Sequence, residues 1–219
     1  LAGKLDDARK ELTLAVDGDP DPQYLDAEGR AAEASAATDS KYQDLALNSY
    51  RKALEVAPTM FNPNAGLGRI YVARQQWAMA APPLEAAISA DPTNGEVMFN
   101  LGLVAENAGQ DAVALKWFKA VPKKNARTWL EIAQLYAKVN NPSAMSAYAD
   151  ATRLGVEEEK AGATLDWLTD AFYQLASLHD LAHDNVAAER AAYQTYVDRS
   201  TKPSAQLNEA KRKLAGELR

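Results

Sequence analysis

The sequence predicts an all-helical protein assembled from stacked helix pairs, and two observations carry that prediction. One spacing occurs three times: Ala8, Leu12, Ala15, Pro20; then Ala46, Tyr50, Ala53, Pro58; then Ala80, Leu84, Ala87, Pro92. Each set places a large apolar residue four positions after the first alanine, a second alanine at seven and a proline at twelve. Self-similarity of this kind marks a repeat architecture. The second observation is that no segment shows strand-like alternation bounded by hairpin signals. Stacked helical repeats usually present binding surfaces and seldom do chemistry.

Residues 1–20 read as the second helix of a repeat, with Leu1, Leu5, Ala8, Leu12 and Ala15 as its apolar stripe. The first helix that should cover this stripe is absent. The chain is therefore expected to be a piece of a longer protein, with any targeting signal upstream. Leu1, Leu5 and Leu12 are candidate self-association residues, for a head-to-tail or two-fold contact with another copy. Residues 21–60 form a divergent repeat. Ala8 and Ala46 are 38 apart, against 34 for the next interval, so about one extra helical turn or a longer loop lies before Ala46. Its alanine-rich helix fits two registers, Tyr24-Ala27-Ala31 and Leu25-Gly29-Ala32.

Residues 61–94 are the most regular. Leu67, Gly68 and Tyr71 stand as L-G-x-x-Y, and Ala80 follows the glycine by twelve. Apolar residues at three- and four-residue steps put one stripe on each of two successive helices. Alanine and glycine at the crossings allow close approach, and larger residues fill the space beside them. The Asp-Pro pairs at 19–20 and 91–92 suit turns, because a proline pushes the preceding residue out of the helical region.

These residues resemble the tetratricopeptide repeat family, with its W-x2-L-G-x2-Y, A-x3-F and P pattern in a period of 34. Asn64 replaces the leading tryptophan. Residues 95–125 fit as Leu101, Gly102, Ala105, Ala114, Phe118 and Val121, without the closing proline. Residues 126–157 fit as Trp129, Ile132, Ala133, Tyr136, Ala144, Tyr148 and Ala151. Residues 164–201 fit more loosely, as Phe172, Leu175, Ala176, His179, Ala188 and Thr195. An insertion near Gly155–Gly162 holds Glu157, Glu158, Glu159 and Lys160, expected to extend a loop or to begin the helix carrying Trp167. Residues 203–219 place Leu207, Ala210, Leu214 and Leu218 on one face and charges elsewhere, as a capping helix requires.

The resemblance implies a right-handed superhelix of about five repeats and a cap, whose concave face is lined by the first helix of each pair. On that register the partner-binding residues are Asn62 and Arg69; Phe99, Asn100, Leu103 and Asn107; Arg127, Leu130, Gln134 and Lys138; and Tyr173 and Gln174. Ala65, Ala73, Ser177 and Asp180 complete the line. Its mix of apolar groups and amides suits an extended peptide or a partner helix; Phe99, Leu103 and Leu130 could equally pack against neighbouring helices. The family's chaperone-tail binders grip a terminal carboxylate with lysines, asparagines and an arginine. The matching positions here read Ala65, Arg69, Asn100, Leu130 and Gln134, and only Asn100 matches in kind. The expected role is a non-catalytic adaptor in a bacterial assembly that binds a protein or peptide partner.

Composition narrows the alternatives. A formal net charge of −6 argues against nucleic acid, which needs a basic stripe. No run of apolar residues is long enough for a membrane span. There is no cysteine, hence no disulfide, thiolate nucleophile or thiolate metal site. This does not choose between cytoplasm and periplasm. His179 and His183, at i and i+4 beside Asp180 and Asp184, are the candidate metal pair. No glutamate lies between them as a general base, His179 takes the repeat's aromatic slot and His183 sits at the turn, so no metal or cofactor is expected. Gly66-Leu67-Gly68 follows no strand and reads as helix packing, not a phosphate loop. The four tryptophans, Trp77, Trp117, Trp129 and Trp167, read as packing groups. No serine stands in recognisable order with a histidine and an acid.

Overall fold

The computed structural model describes residue 7, residues 21–36 and residues 41–216. The self-association residues Leu1, Leu5 and Leu12 lie outside them. The described residues form eleven helices and no strand: α1 Pro22–Ala36, α2 Lys41–Val56, α3 Phe61–Ala73, α4 Trp77–Ala90, α5 Gly95–Asn107, α6 Asp111–Ala120, α7 Ala126–Lys138, α8 Ser143–Lys160, α9 Leu168–Ala182, α10 Val186–Arg199 and α11 Ala205–Ala215. They fall into two compact units, one ending at Pro122 and the other beginning at Lys123. In the first, α1 pairs with α2, α3 with α4 and α5 with α6. In the second, α7 pairs with α8 and α9 with α10, while α11 packs on α10.

Local chemistry sets the helix ends. Asn94, Asn125 and Asn185 each accept a hydrogen bond through Oδ1 from the backbone N–H three residues on, and Ser204 does so through Oγ. These caps satisfy donors that a helix start leaves unpaired. The turns inside the pairs share a second device. Gln75, Gly109, Asn140 and His183 all take positive φ, each seven residues after the small residue of its motif (Gly68, Gly102, Ala133 and Ala176). One left-handed residue reverses the chain there, and His183 is the turn residue of its pair.

The core follows a small-against-large rule. Gly68 lies against Leu84, Gly102 against Phe118 and Gly155 against Leu168, and each large partner is fully buried. Tyr50 is gripped on both sides, by Gly29 of α1 and Gly66 of α3. This settles the register of α1: Leu25, Gly29 and Ala32 are buried, whereas Tyr24 is 48% exposed. Gly66 and Gly68 therefore serve helix packing within α3. Asn64, standing where the family carries tryptophan, is buried and donates from Nδ2 to the carbonyls of Pro58 (2.9 Å) and Met60 (2.8 Å). It locks the preceding turn in place of a packed ring.

One expectation is corrected. Residues 157–160 do not begin a helix. They end α8, and Trp167 precedes α9 instead of lying within it. Carboxylates at a helix C-terminus oppose the dipole, and two of them find donors elsewhere. Glu158 accepts from the backbone N–H of Ala126 at 2.9 Å, at the start of α7, where a negative charge is favourable. Glu159 pairs with Arg199 of α10 at 2.7 Å, and that hydrogen bond holds its carboxyl below the ordinary range.

Buried charge occurs at Glu131 of α7, 3% exposed and paired with Arg127 at 2.7 Å. Burial raises the Glu131 pKa and outweighs the arginine's opposing pull. A carboxyl raised in the folded state favours folding below its unfolded pKa, and that contribution is lost as pH rises through the folded value. Because Arg127 is half exposed, Glu131→Gln leaves no buried cation behind. The variant is expected to be more stable than the parent at neutral pH, by on the order of 1 kcal/mol. Urea unfolding across the acid range should show the difference shrinking as Glu131 becomes protonated.

Candidate functional site

Helices α7, α8 and α9 enclose a groove of about 400 Å³ within the second unit. α7 contributes Leu130, Gln134 and Lys138, spaced at four residues and so on one face. The opposite wall is Trp167, just before α9, with Asp170, Ala171 and Gln174, spaced at three and four. Tyr148 of α8 lines the groove between them. Its phenol is raised by burial and by the charge of Glu131, so it stays protonated and can donate. Because α8 returns the chain between them, α7 and α9 run in the same direction. Asp170 lies in the first turn of α9 and Lys138 in the last turn of α7, so the two charges mark opposite ends. The amides of Gln134 and Gln174 stand on the two walls, and both residues are exposed.

Of the residues picked from sequence, Leu130, Gln134, Lys138 and Gln174 come together here. Arg127 does not line the groove and pairs with Glu131 instead. Tyr173 turns away: its hydroxyl donates to Glu209 of α11 at 2.9 Å, and its ring lies 5.2 Å from that of Tyr196 and 6.0 Å from that of Tyr193. Burial, then Glu209, pushes its phenol up to about 12. Asp180 likewise faces α11, pairing with Lys213 at 2.7 Å. The groove face of α9 is therefore 167-170-171-174, and Tyr173 and Asp180 hold the capping helix. Asp170 and Trp167 were missed because the insertion before α9 displaced the register. Tyr148 was missed because its repeat position reads as core.

In the first unit, Arg69 of α3 joins three helices. Its guanidinium contacts Glu33 of α1 through Nε and Nη2 (the latter at 2.7 Å) and Glu96 of α5 through Nη1 at 2.7 Å. Hydrogen bonding to Glu33 leads the causes that raise its pKa. Asn62 donates to Asp26 at 3.1 Å, and Asn100 is buried. Phe99 packs on Phe118, ring centroids 5.4 Å apart, and Leu103 is half-buried. Asn107 lines a different hollow, between α4, α5 and α6. This set is largely engaged in joining helices.

His179 and His183 have different surroundings. His179 Nδ1 lies 2.9 Å from Asp184 Oδ1, and that contact lowers the aspartate's pKa. His183 occupies the left-handed turn. Among the described residues no group of three histidines, aspartates or glutamates is placed to hold a metal ion, and no helix is long and apolar enough to cross a membrane.

No protein-family model matches the sequence. The fold is similar to that of YrrB, described as a TPR protein with an unusual peptide-binding site, at 21% identity over 94% of this chain and all of that one, with a TM-score of 0.67. The fold is that of the tetratricopeptide repeat. PilF of Pseudomonas aeruginosa shares this repeat fold at 14% identity, TM-score 0.63, over 95% of this chain and 89% of its own. MamA of Desulfovibrio magneticus RS-1 shares it at 19% identity, TM-score 0.60, over 74% of this chain and 89% of its own. In tetratricopeptide-repeat terms, α3, α5, α7 and α9 are first helices of their pairs, and the groove lies between two of them.

Proposed function

We propose that this chain is a non-catalytic binding module that holds a short extended segment of a partner protein in the groove between α7 and α9. The observation that carries the reading is the lining itself: two exposed amides on facing walls, apolar Leu130, Ala171 and Trp167, and opposite charges at the ends. Glutamine amides can both donate to and accept from a peptide backbone. Half-buried Trp167 supplies apolar contact over a floor of buried Leu130 and Ala171, and Trp is a frequent anchor in binding sites. A volume of 400 Å³ takes a few residues of extended chain. Asp170 and Lys138 would set its direction, favouring a basic side chain toward Asp170 and an acidic one toward Lys138. No histidine or nucleophile–base pair lies in the lining. Peptide binding by a protein of the same fold, YrrB, agrees with this reading.

The test is a capture experiment from native lysate with the parent chain and a variant carrying Gln134→Arg and Gln174→Arg. Both positions are exposed, so the fold should stand. A partner held by the parent is expected to bind the variant at least about tenfold more weakly. Equal binding would place the interface elsewhere.

A further inference from the structure

We propose that the hollow between α4, α5 and α6 is a second docking site, for an arginine-bearing segment of a partner protein. The first observation is the composition of α4. Its fourteen residues, WAMAAPPLEAAISA, include one charged residue, Glu85. A helix apolar all round belongs in an interior. Yet α4 exposes Ala78, Pro82 and Met79, the last 47% exposed, and Val113 of α6 is 42% exposed.

The second observation is the hollow itself. It measures about 460 Å³ and has half-buried Trp77 and Trp117, with Ala81, Val104 and Val113, in its lining. Glu85 is the only charged lining residue, and its carboxylate makes no hydrogen bond or ion pair among the described residues.

The third is covalent. Pro82 and Pro83 lie inside α4 and carry no N–H, so the carbonyls of Ala78 and Met79 lose the donor a helix normally supplies four residues on. Ala78 is part of the lining. The site thus combines indole rings, a carboxylate without a partner among the described residues and, at Ala78, a carbonyl short of its helix donor, with no basic residue in its lining.

Its complement is a cation with several donors and an apolar stem. Arginine has five N–H donors in a planar fork, stacks on aromatic faces and is weakly hydrated. Lysine offers a point charge and would not span acceptors spread over a helix turn and a carboxylate. The site lies wholly within the first unit and shares no residue with the α7–α9 groove, so it stands or falls separately.

The experiment follows the four tryptophan indole N–H signals of the full chain by NMR, assigned by Trp→Phe variants, during titration with acetyl-Leu-Arg-Leu-amide. The signals of Trp77 and Trp117 should shift saturably, and equally so in an Asp170→Asn variant that removes the anion of the α7–α9 groove beside Trp167, while the signal of Trp129 stays in place. The citrulline peptide, which keeps shape and loses charge, should bind about tenfold more weakly. Glu85→Gln should weaken the arginine peptide similarly. Pro82→Ala with Pro83→Ala returns N–H partners to both carbonyls and suits a helix better, so it should fold and bind less tightly by about threefold or more. Equal binding of the citrulline peptide, unchanged binding by the double proline variant, shifts confined to Trp129 and Trp167, or no shift would each overturn the proposal. So would a dimer of the chain that Glu85→Gln abolishes, since the arginine would then come from a second copy.

Discussion

Replacing Tyr50 with alanine is expected to lower the unfolding free energy by about 3–5 kcal/mol. The ring is fully buried in α2 and lies against two glycines, Gly29 on α1 and Gly66 on α3. Neither can extend a side chain into the void, so collapse would require whole helices to move. The hydroxyl donates to Glu33 Oε2 at 2.9 Å, and Glu33 also receives Arg69. Burial first, then the Glu33 charge, raises the phenol's pKa, so it remains a donor across the ordinary pH range. Tyr50→Phe should cost only about 1 kcal/mol, because Arg69 still satisfies the carboxylate. Domains are stable by roughly 5–15 kcal/mol, so the alanine variant should sit near the unfolding threshold. Urea unfolding with hydrogen exchange on α1 to α3 measures both. A loss below about 1 kcal/mol for Tyr50→Ala would mean that this slot does not organise the first unit.

Gly102→Ala is the second large effect, expected to destabilise by about 2 kcal/mol net. Alanine raises helix propensity by about 1 kcal/mol over glycine, so propensity alone predicts the opposite sign. Packing overrides it. A Cβ at this position would overlap the ring of Phe118, which is fully buried, and Phe99 packs against the same ring. Gly109→Ala makes an informative companion. It meets no neighbour but must hold φ +71°, so its loss, about 1 kcal/mol, is backbone strain alone. Thermal unfolding of the two variants separates overpacking from strain. A stabilised Gly102→Ala would show that the ring can move aside.

Much of the fold is legible in the sequence because each small residue reports a crossing and each large one reports what fills it. Gly68 with Leu84 and Gly102 with Phe118 can be paired from spacing alone, since the helix pairs share one geometry. The site is less legible, for two reasons. Projecting a concave face assumes constant register, and the residues before α9 break it, which put Tyr173 in place of Asp170. Residue type also cannot tell a side chain that faces a ligand from one that joins helices. Arg69 reads from sequence as a partner contact, but its guanidinium is taken up by Glu33 and Glu96, which sit 36 residues before it and 27 after it. Nothing local to position 69 announces those partners. The tryptophans show the reverse case: read as packing groups, all four are only half-buried, and Trp77, Trp117 and Trp167 line hollows.

The central claim is that the α7–α9 groove is where a partner segment sits, and site-specific photocrosslinking tests it most directly. A benzophenone side chain placed at Gln174, inside the groove, should trap a partner fragment from native lysate. The same group at Gln194, exposed on α10 and outside the groove lining, serves as the comparison. Adducts at position 174 whose peptide maps to one short segment, with none at 194, are the predicted result. Equal adducts at both positions, or adducts at 194 alone, would contradict it.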